Sequence, residues 1–230
     1  MRIILQPSMI LHSRPYRETS LLLDILTLDH GRISAIAKGV RRPRASTQAL
    51  LQVFTPLLLS WYGRGELVTL SQIELNGAAI QLQGHCLFAG LYLNELLTRL
   101  LQKDDPHPEI FTLYRDTLHV LQSTSLDEKI LRLFEKRLLE ELGYGFLLDA
   151  IKQKILLPEK YYEFHPEQGF ILSTLQITAD NIFSGNSLLA FAAESLTDDT
   201  ILRDAKRLVR LMLAHLLGDR PLNSRQLFVK

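Results

Sequence analysis

The sequence predicts an α+β protein: a small five-stranded β-barrel leads, and a mostly helical domain with one β-hairpin follows. Three observations carry this. Over residues 1–80 the apolar runs are short and bounded by turn residues. After Gly77 apolar residues recur at helical spacing instead. The chain has 230 residues and 47% apolar content, enough for two modest cores without disulfides or a structural metal. The boundary is expected between Asn76 and Gly84, giving domains 1–80 and 81–230.

Strands are placed at Met9–Arg17, Ser20–Leu28, Arg32–Gly39, Leu51–Tyr62 and Glu66–Leu75. Asp29-His30-Gly31 turns the second into the third. Gly63-Arg64-Gly65 turns the fourth into the fifth, since glycine tolerates positive φ. Pro56 argues for an edge or a bulge in the fourth run. An SH3-like barrel shares this periodicity, which alone does not separate the alternatives.

The first helix spans Leu87–Gln102, with Leu91, Tyr92, Leu96 and Leu100 on its broad apolar face and Asn94, Glu95 and Arg99 on the polar one. Pro108–Ser123 forms the second, and Asp127–Leu142 the third, closed by Gly143 as a C′ glycine. Lys160–Thr174 is expected as a hairpin turning at Pro166–Gly169. A short helix, Ser187–Ser195, and a long one, Asp198–Leu217, complete the chain before Gly218.

Charge is unevenly spread. The net formal charge is only +1. Residues 1–80 carry nine Lys/Arg against five Asp/Glu, residues 81–200 ten against eighteen, and residues 201–230 seven against two. Two basic ends around an acidic middle suit a protein that holds a polyanion on one part and keeps another clear of it. The single cysteine, Cys86, excludes an intramolecular disulfide and a cysteine-rich zinc site, and fits a reducing compartment. Met1–Met9 lacks a long apolar run and is broken by Pro7, so no signal peptide is expected; with no long uncharged apolar stretch, neither is a membrane partner. A cytoplasmic location follows.

Catalytic patterns are missing. None of the seven histidines forms an H-E-x-x-H pair, and no G-x-S-x-G elbow or P-loop occurs. Adjacent carboxylates such as Asp104-Asp105 and Glu140-Glu141 read as helix-end or surface charges. No enzyme activity, cofactor or metal is expected.

The informative segment is Lys38-Gly39-Val40-Arg41-Arg42-Pro43-Arg44, with four cations and no anion. Such a loop neutralises phosphates and releases counterions, although a merely solvated loop has the same composition. Arg14 and Arg17 lie near the first strand corner and Arg64 at the glycine hairpin. In an OB-type barrel the strand 1–2 and 4–5 loops flank the nucleic-acid face. Tyr16, Trp61 and Tyr62 are there to stack on bases or to fill the barrel. On the last helix Arg203, Lys206, Arg207 and Arg210 share one face and extend a polyanion track or remain a solvated stripe.

Six stretches in order resemble the RecO family of bacterial DNA repair and recombination mediators: HSRPYRETS (His12–Ser20), AKGVRRPR (Ala37–Arg44), FTPLLLSWYGRGELVTL (Phe54–Leu70), GLYLNELL (Gly90–Leu97), LGYG (Leu142–Gly145) and Ala205–Phe228, which ends RPLNSRQLF. The likeness is nearest to the proteobacterial branch. The resemblance implies an N-terminal OB-fold, binding of single- and double-stranded DNA, and annealing of complementary strands. It implies contact with the acidic C-terminal tail of the single-stranded DNA-binding protein and with RecR, and assistance in loading RecA onto coated strands (the RecF pathway), hence a nucleoid-associated location. Many members carry a four-cysteine zinc site; this chain departs from that pattern, and the Lys160–Thr174 hairpin is expected to occupy the corresponding place, held by packing alone. For the tail peptide, Lys129, Arg132, Phe134 and Lys136 on the third helix are the expected contacts, Arg132 first because it aligns with a basic position of the family's LR-x-FE stretch. A protein–protein adaptor that never touches DNA, a concealed metal-dependent nuclease and an RNA-binding barrel are the rival readings.

Overall fold

In the computed structural model, which describes residues 2–42, 46–145, 156–175, 179–218 and 221–228, two compact units form. The first takes in residues 1–126 and 222–230, the second residues 127–221. The change from strands to helices near Asn76–Gly84 thus falls inside the first unit.

Strands β1 (Arg2–Tyr16), β2 (Ser20–Thr27), β3 (Gly31–Ala37), β4 (Pro56–Tyr62) and β5 (Val68–Leu75) close into a barrel ordered β1-β2-β3-β5-β4. All pairs are antiparallel except β3–β5, where Ala35 meets Val68 and Ile36 meets Thr69. Alternation turns Ile10, Leu23, Ile25, Ala35, Leu57 and Leu59 inward, where they are fully buried. β1 begins seven residues earlier than its apolar pattern suggests. Its alternation is interrupted by register shifts between Ile3 and Gln6 and between Ile10 and His12, and Leu5 has φ 49°. That bend lets one strand pair with β4 through its first half and β2 through its second. Pro56 opens β4, where a missing N–H costs no ladder bond, and residues 51–55 are not strand.

The β2–β3 turn is tied to the chain beyond α1 (Gly84–Leu100). Asp104 N–H donates to the Arg32 carbonyl (3.0 Å), and Arg32 Nε donates to the Leu101 carbonyl (3.1 Å). Gly31 has φ +65°, and a Cβ there would lie 2.1 Å from the Asp105 carbonyl oxygen. Gly31→Ala is therefore expected to destabilise the first unit by about 3 kcal/mol, read as a lower urea midpoint at unchanged slope.

Helix α2 (Pro108–Ser123) begins with proline at its first position, where no N–H is needed. Asn94, expected on a polar helix face, is buried instead. Its Nδ2 donates to the Leu11 carbonyl (2.8 Å) and its Oδ1 accepts from the Tyr114 hydroxyl, joining α1 to β1 and α2. Burial pushes the Tyr114 phenol well above its ordinary value. Glu95 accepts from Asn223 N–H, Ser224 N–H and the Ser224 hydroxyl (2.9, 2.8 and 2.6 Å) and pairs with Arg99. Burial alone would raise its carboxyl, but these bonds outweigh it and hold the group below the usual carboxylate range. They clasp the short helix Asn223–Phe228 onto α1.

In the second unit, α3 (Glu128–Leu139) is capped by Asp127 and passes at Glu140–Tyr144 into a wider turn, with Gly143 at φ 88°. The hairpin appears as β6 (Tyr161–His165) and β7 (Gly169–Leu172), and β8 (Ile182–Ser184) adds a third strand in the order β7-β6-β8. Three residues are too few for alternation to announce a strand. Helices α4 (Gly185–Ala192) and α5 (Asp199–Leu217) follow, capped by Ser184 and Asp198. Glu194 joins the connection between them to α3, accepting from Lys136 Nζ (3.0 Å) and Arg137 Nη2 (2.7 Å); Lys136 also meets Glu140 at 3.1 Å.

Candidate nucleic-acid interface

Register brings most of the barrel's cations to one end. Ala37, the last residue of β3, pairs with Leu21 beside the β1–β2 turn. The chain then turns at Gly39 (φ 72°), closed by Arg42 N–H donating to the Gly39 carbonyl (3.2 Å). Arg41 reaches back across the turn: its N–H donates to the Thr19 carbonyl (2.9 Å) and its Nη1 to the Arg17 carbonyl (3.3 Å). Between these cations Val40 is 6% exposed and belongs to the barrel core. One buried methyl pair thus anchors a loop whose Lys38, Arg41 and Arg42 stay exposed. Arg14 is exposed on β1. Arg17 is exposed in the turn, with its guanidinium 5.3 Å from the Tyr16 ring centroid. Arg44 lies outside the described residues.

Arg64 does not join this group. β5 runs parallel to β3, so the 63–67 loop that feeds β5 lies toward the start of β3, near His30 and Ile33. Val68, where β5 begins, pairs with Ala35, and the loop before it extends back toward His30, away from Ala37. Among the described residues none of Arg14, Arg17, Lys38, Arg41, Arg42 or Arg64 pairs with a carboxylate. Asp24, the acid on the β2–β3 surface, is occupied by Arg32 (3.5 Å) and the Ser34 hydroxyl (3.0 Å).

An outward row crosses the barrel beside the cations. Arg14 pairs with Leu22, Leu22 with Ile36, Ile36 with Thr69, Thr69 with Tyr62, and Tyr62 with Arg2. Tyr62 is 46% exposed. Trp61 has the opposite orientation: it is 5% exposed in the core and meets the His30 ring edge-on at 5.4 Å. Of the two adjacent aromatics, alternation leaves Tyr62 on the surface and makes Trp61 a packing residue.

Several of the other expected cations are tied down. On α5, Lys206 pairs with Glu128 (2.7 Å). Arg207 pairs with Asp204 (3.1 Å), donates to the Ile182 carbonyl (2.9 Å) and lies over Phe183. Arg203 bonds within its own helix, to the Asp199 carbonyl and the Thr200 hydroxyl, and Arg210 is exposed. On α3, Phe134 is core, at 1% exposure, and Lys136 is buried against its two glutamates. Arg132 is buried and pairs with Glu135 (3.0 Å), yet its Nε has no hydrogen-bond partner among the described residues. Lys129 is half-buried.

Among the described residues no group of three or more His, Cys, Asp or Glu is arranged to hold a metal ion, and no helix is long and apolar enough to cross a membrane.

Two family descriptions divide the chain between them: "Recombination protein O N terminal" matches residues 1–78 and "Recombination protein O C terminal" residues 81–226. The chain belongs to the RecO family. A "DNA repair protein RecO" of Coxiella burnetii is 45% identical over 228 residues, covering 98% of each chain. Those of Nitrosococcus oceani and Haemophilus influenzae are each 44% identical over 229 residues, covering 99% and 98% of this chain and 93% and 96% of theirs. The RecO N-terminal match coincides with the barrel and its cationic end, and the RecO C-terminal match begins just before α1.

Proposed function

We propose that this chain is a DNA repair and recombination mediator that acts by binding, without catalysis of its own. It binds single- and double-stranded DNA and anneals complementary strands. It helps load RecA onto strands coated by the single-stranded DNA-binding protein, in company with RecR. The observation that carries the reading is the group of exposed cations at one barrel end, which pair with no carboxylate among the described residues, beside an outward row that includes exposed Tyr62.

Annealing is a charge problem. Two phosphate backbones repel, and a cationic surface lowers that repulsion by displacing condensed counterions. Contacts to phosphate hold strands without reading their sequence, which suits a protein that must accept any complementary pair. Arg14, Arg17, Lys38, Arg41 and Arg42 supply those contacts. Arg44 follows them in sequence, while Arg64 lies toward the other end of β3. Tyr62 offers a face for an unpaired base, as Leu22 and Ile36 offer apolar contact along the row. Mixing complementary oligonucleotides with the chain in the absence of ATP tests the reading. Accelerated duplex formation is expected, and it should persist when the strands are first coated with single-stranded DNA-binding protein. An unchanged rate in both cases would leave the adaptor reading in place.

The acidic tail of the single-stranded DNA-binding protein is assigned to α3. The buried, unpartnered Nε of Arg132 is a donor that a carboxylate satisfies, once Glu135 yields part of the guanidinium. Titration of labelled tail peptide is expected to show about tenfold weaker binding to Arg132→Ala than to the parent. Equal affinity discards this site.

A further inference from the structure

The barrel has an open mouth at the end away from the cationic loop. There Ile3, Ile33, Trp61 and Val68 wall a cavity of about 320 Å³, and Arg64, His30 and Asp104 stand at its rim. We propose that this mouth binds one nucleoside monophosphate unit, base inward against the apolar wall and phosphate on Arg64.

Four features on the molecule point to that ligand. The volume falls in the range of small-molecule sites, and mouths of β-barrels are among the places where such sites form. The accessible wall is apolar, formed by the half-buried Ile3 and Val68, with the buried Trp61, held edge-on by His30 at 5.4 Å, packed behind them, so a base meets a rigid surface. Arg64 is presented between Gly63 (φ +131°) and Gly65 (φ +81°), conformations that hold the loop turned. Among the described residues that guanidinium pairs with no carboxylate. The rim also carries Asp104, exposed, an acceptor for an exocyclic amine and a repellent for a second phosphate. The ligand class is therefore a base bearing an amino group with a single phosphate, either free or at the end of a strand. The proposal deepens the nucleic-acid reading but uses different residues from it.

The chain has one tryptophan, Trp61, and it lines this cavity from the barrel core, so its fluorescence serves as the probe. Deoxyadenosine monophosphate titrated into the full chain is expected to change that fluorescence saturably, with Kd about 1 mM, as one base in apolar contact and one charged contact allow. Thymidine monophosphate should bind more weakly. Arg64→Ala is expected to weaken the response about tenfold, while Arg41→Glu with Arg42→Glu leaves it unchanged. An oligonucleotide with a terminal phosphate that binds more tightly here than the same strand without it supports a strand end as the source; equal responses support the free mononucleotide. Inorganic phosphate that reproduces the signal at equal affinity would overturn the proposal in favour of a bare anion site. So would the absence of a saturable response from a chain with a native Trp61 emission spectrum. Oligonucleotide binding that survives either result leaves the interface at the other barrel end standing. Loss of oligonucleotide binding with the mononucleotide response intact removes that interface and not this pocket.

Discussion

Replacing Arg41 and Arg42 together by glutamate is expected to lower affinity for single-stranded DNA by about a hundredfold at moderate salt, and to reduce the slope of log K against log salt by about 1.4, at ~0.7 per phosphate contact. Both side chains are exposed and neither pairs with an acid among the described residues, so reversal removes no ion pair. The fold should tolerate it. The loop is held by Val40 in the core and by backbone donors from Arg41 and Arg42, which the substitutions keep. Thermal unfolding should move little, since exposed substitutions away from such anchors typically cost under ~0.5 kcal/mol. Affinity measured across a salt series separates this from a general charge effect. The same double change at Arg203 and Arg210 should leave the slope nearly intact.

Glu194→Gln is expected to destabilise the second unit by about 3 kcal/mol. Glu194 sits at φ 58° after α4 and accepts from both Lys136 and Arg137. Lys136 is 3% exposed, so loss of the carboxylate leaves a buried ammonium with Glu140 alone. Hydrogen bonds from Arg137 first, then from Lys136, together with both positive charges, hold the Glu194 carboxyl down at about 2 against the opposing effect of burial. The sign follows. A carboxyl depressed in the folded state contributes stability that is complete above its unfolded value near 4.5 and fades as pH falls toward 2. Urea unfolding followed from pH 6 to pH 3 should show the parent losing stability over that window. The variant should begin lower and lose less.

The barrel was legible where alternation was clean. The expected strands Ser20–Leu28 and Arg32–Gly39 form as β2 and β3, ending one and two residues sooner, with Leu21, Leu23 and Ile25 facing Ala37, Ala35 and Ile33 across an uninterrupted ladder. β1 was half legible, because its two register shifts put Ile4 and Leu5 out of phase with Met9 and Ile10. The loop Lys38–Arg44 announced its charge but not its anchor: Val40 looked like one more loop residue, and only closure of the barrel shows it buried. Arg64 lies apart from that loop for a topological reason. Nothing in its neighbours says that β5 pairs parallel to β3, which carries the 63–67 loop away from the cationic end. The stripe on α5 was read correctly as one face in sequence, but its uses were not. Lys206 and Arg207 find Glu128, Asp204 and the Ile182 carbonyl, one of them three residues away and two far off in the chain. Helical periodicity reports which side a residue faces and is silent about what waits there.

Amide hydrogen exchange of the full chain, with and without a saturating single-stranded oligonucleotide, reads the DNA interface segment by segment. Slower exchange is expected over residues 14–22 and 36–42, where the β1–β2 turn and the cationic loop meet. Unaltered exchange in both segments, with protection confined to the second unit, would contradict that placement.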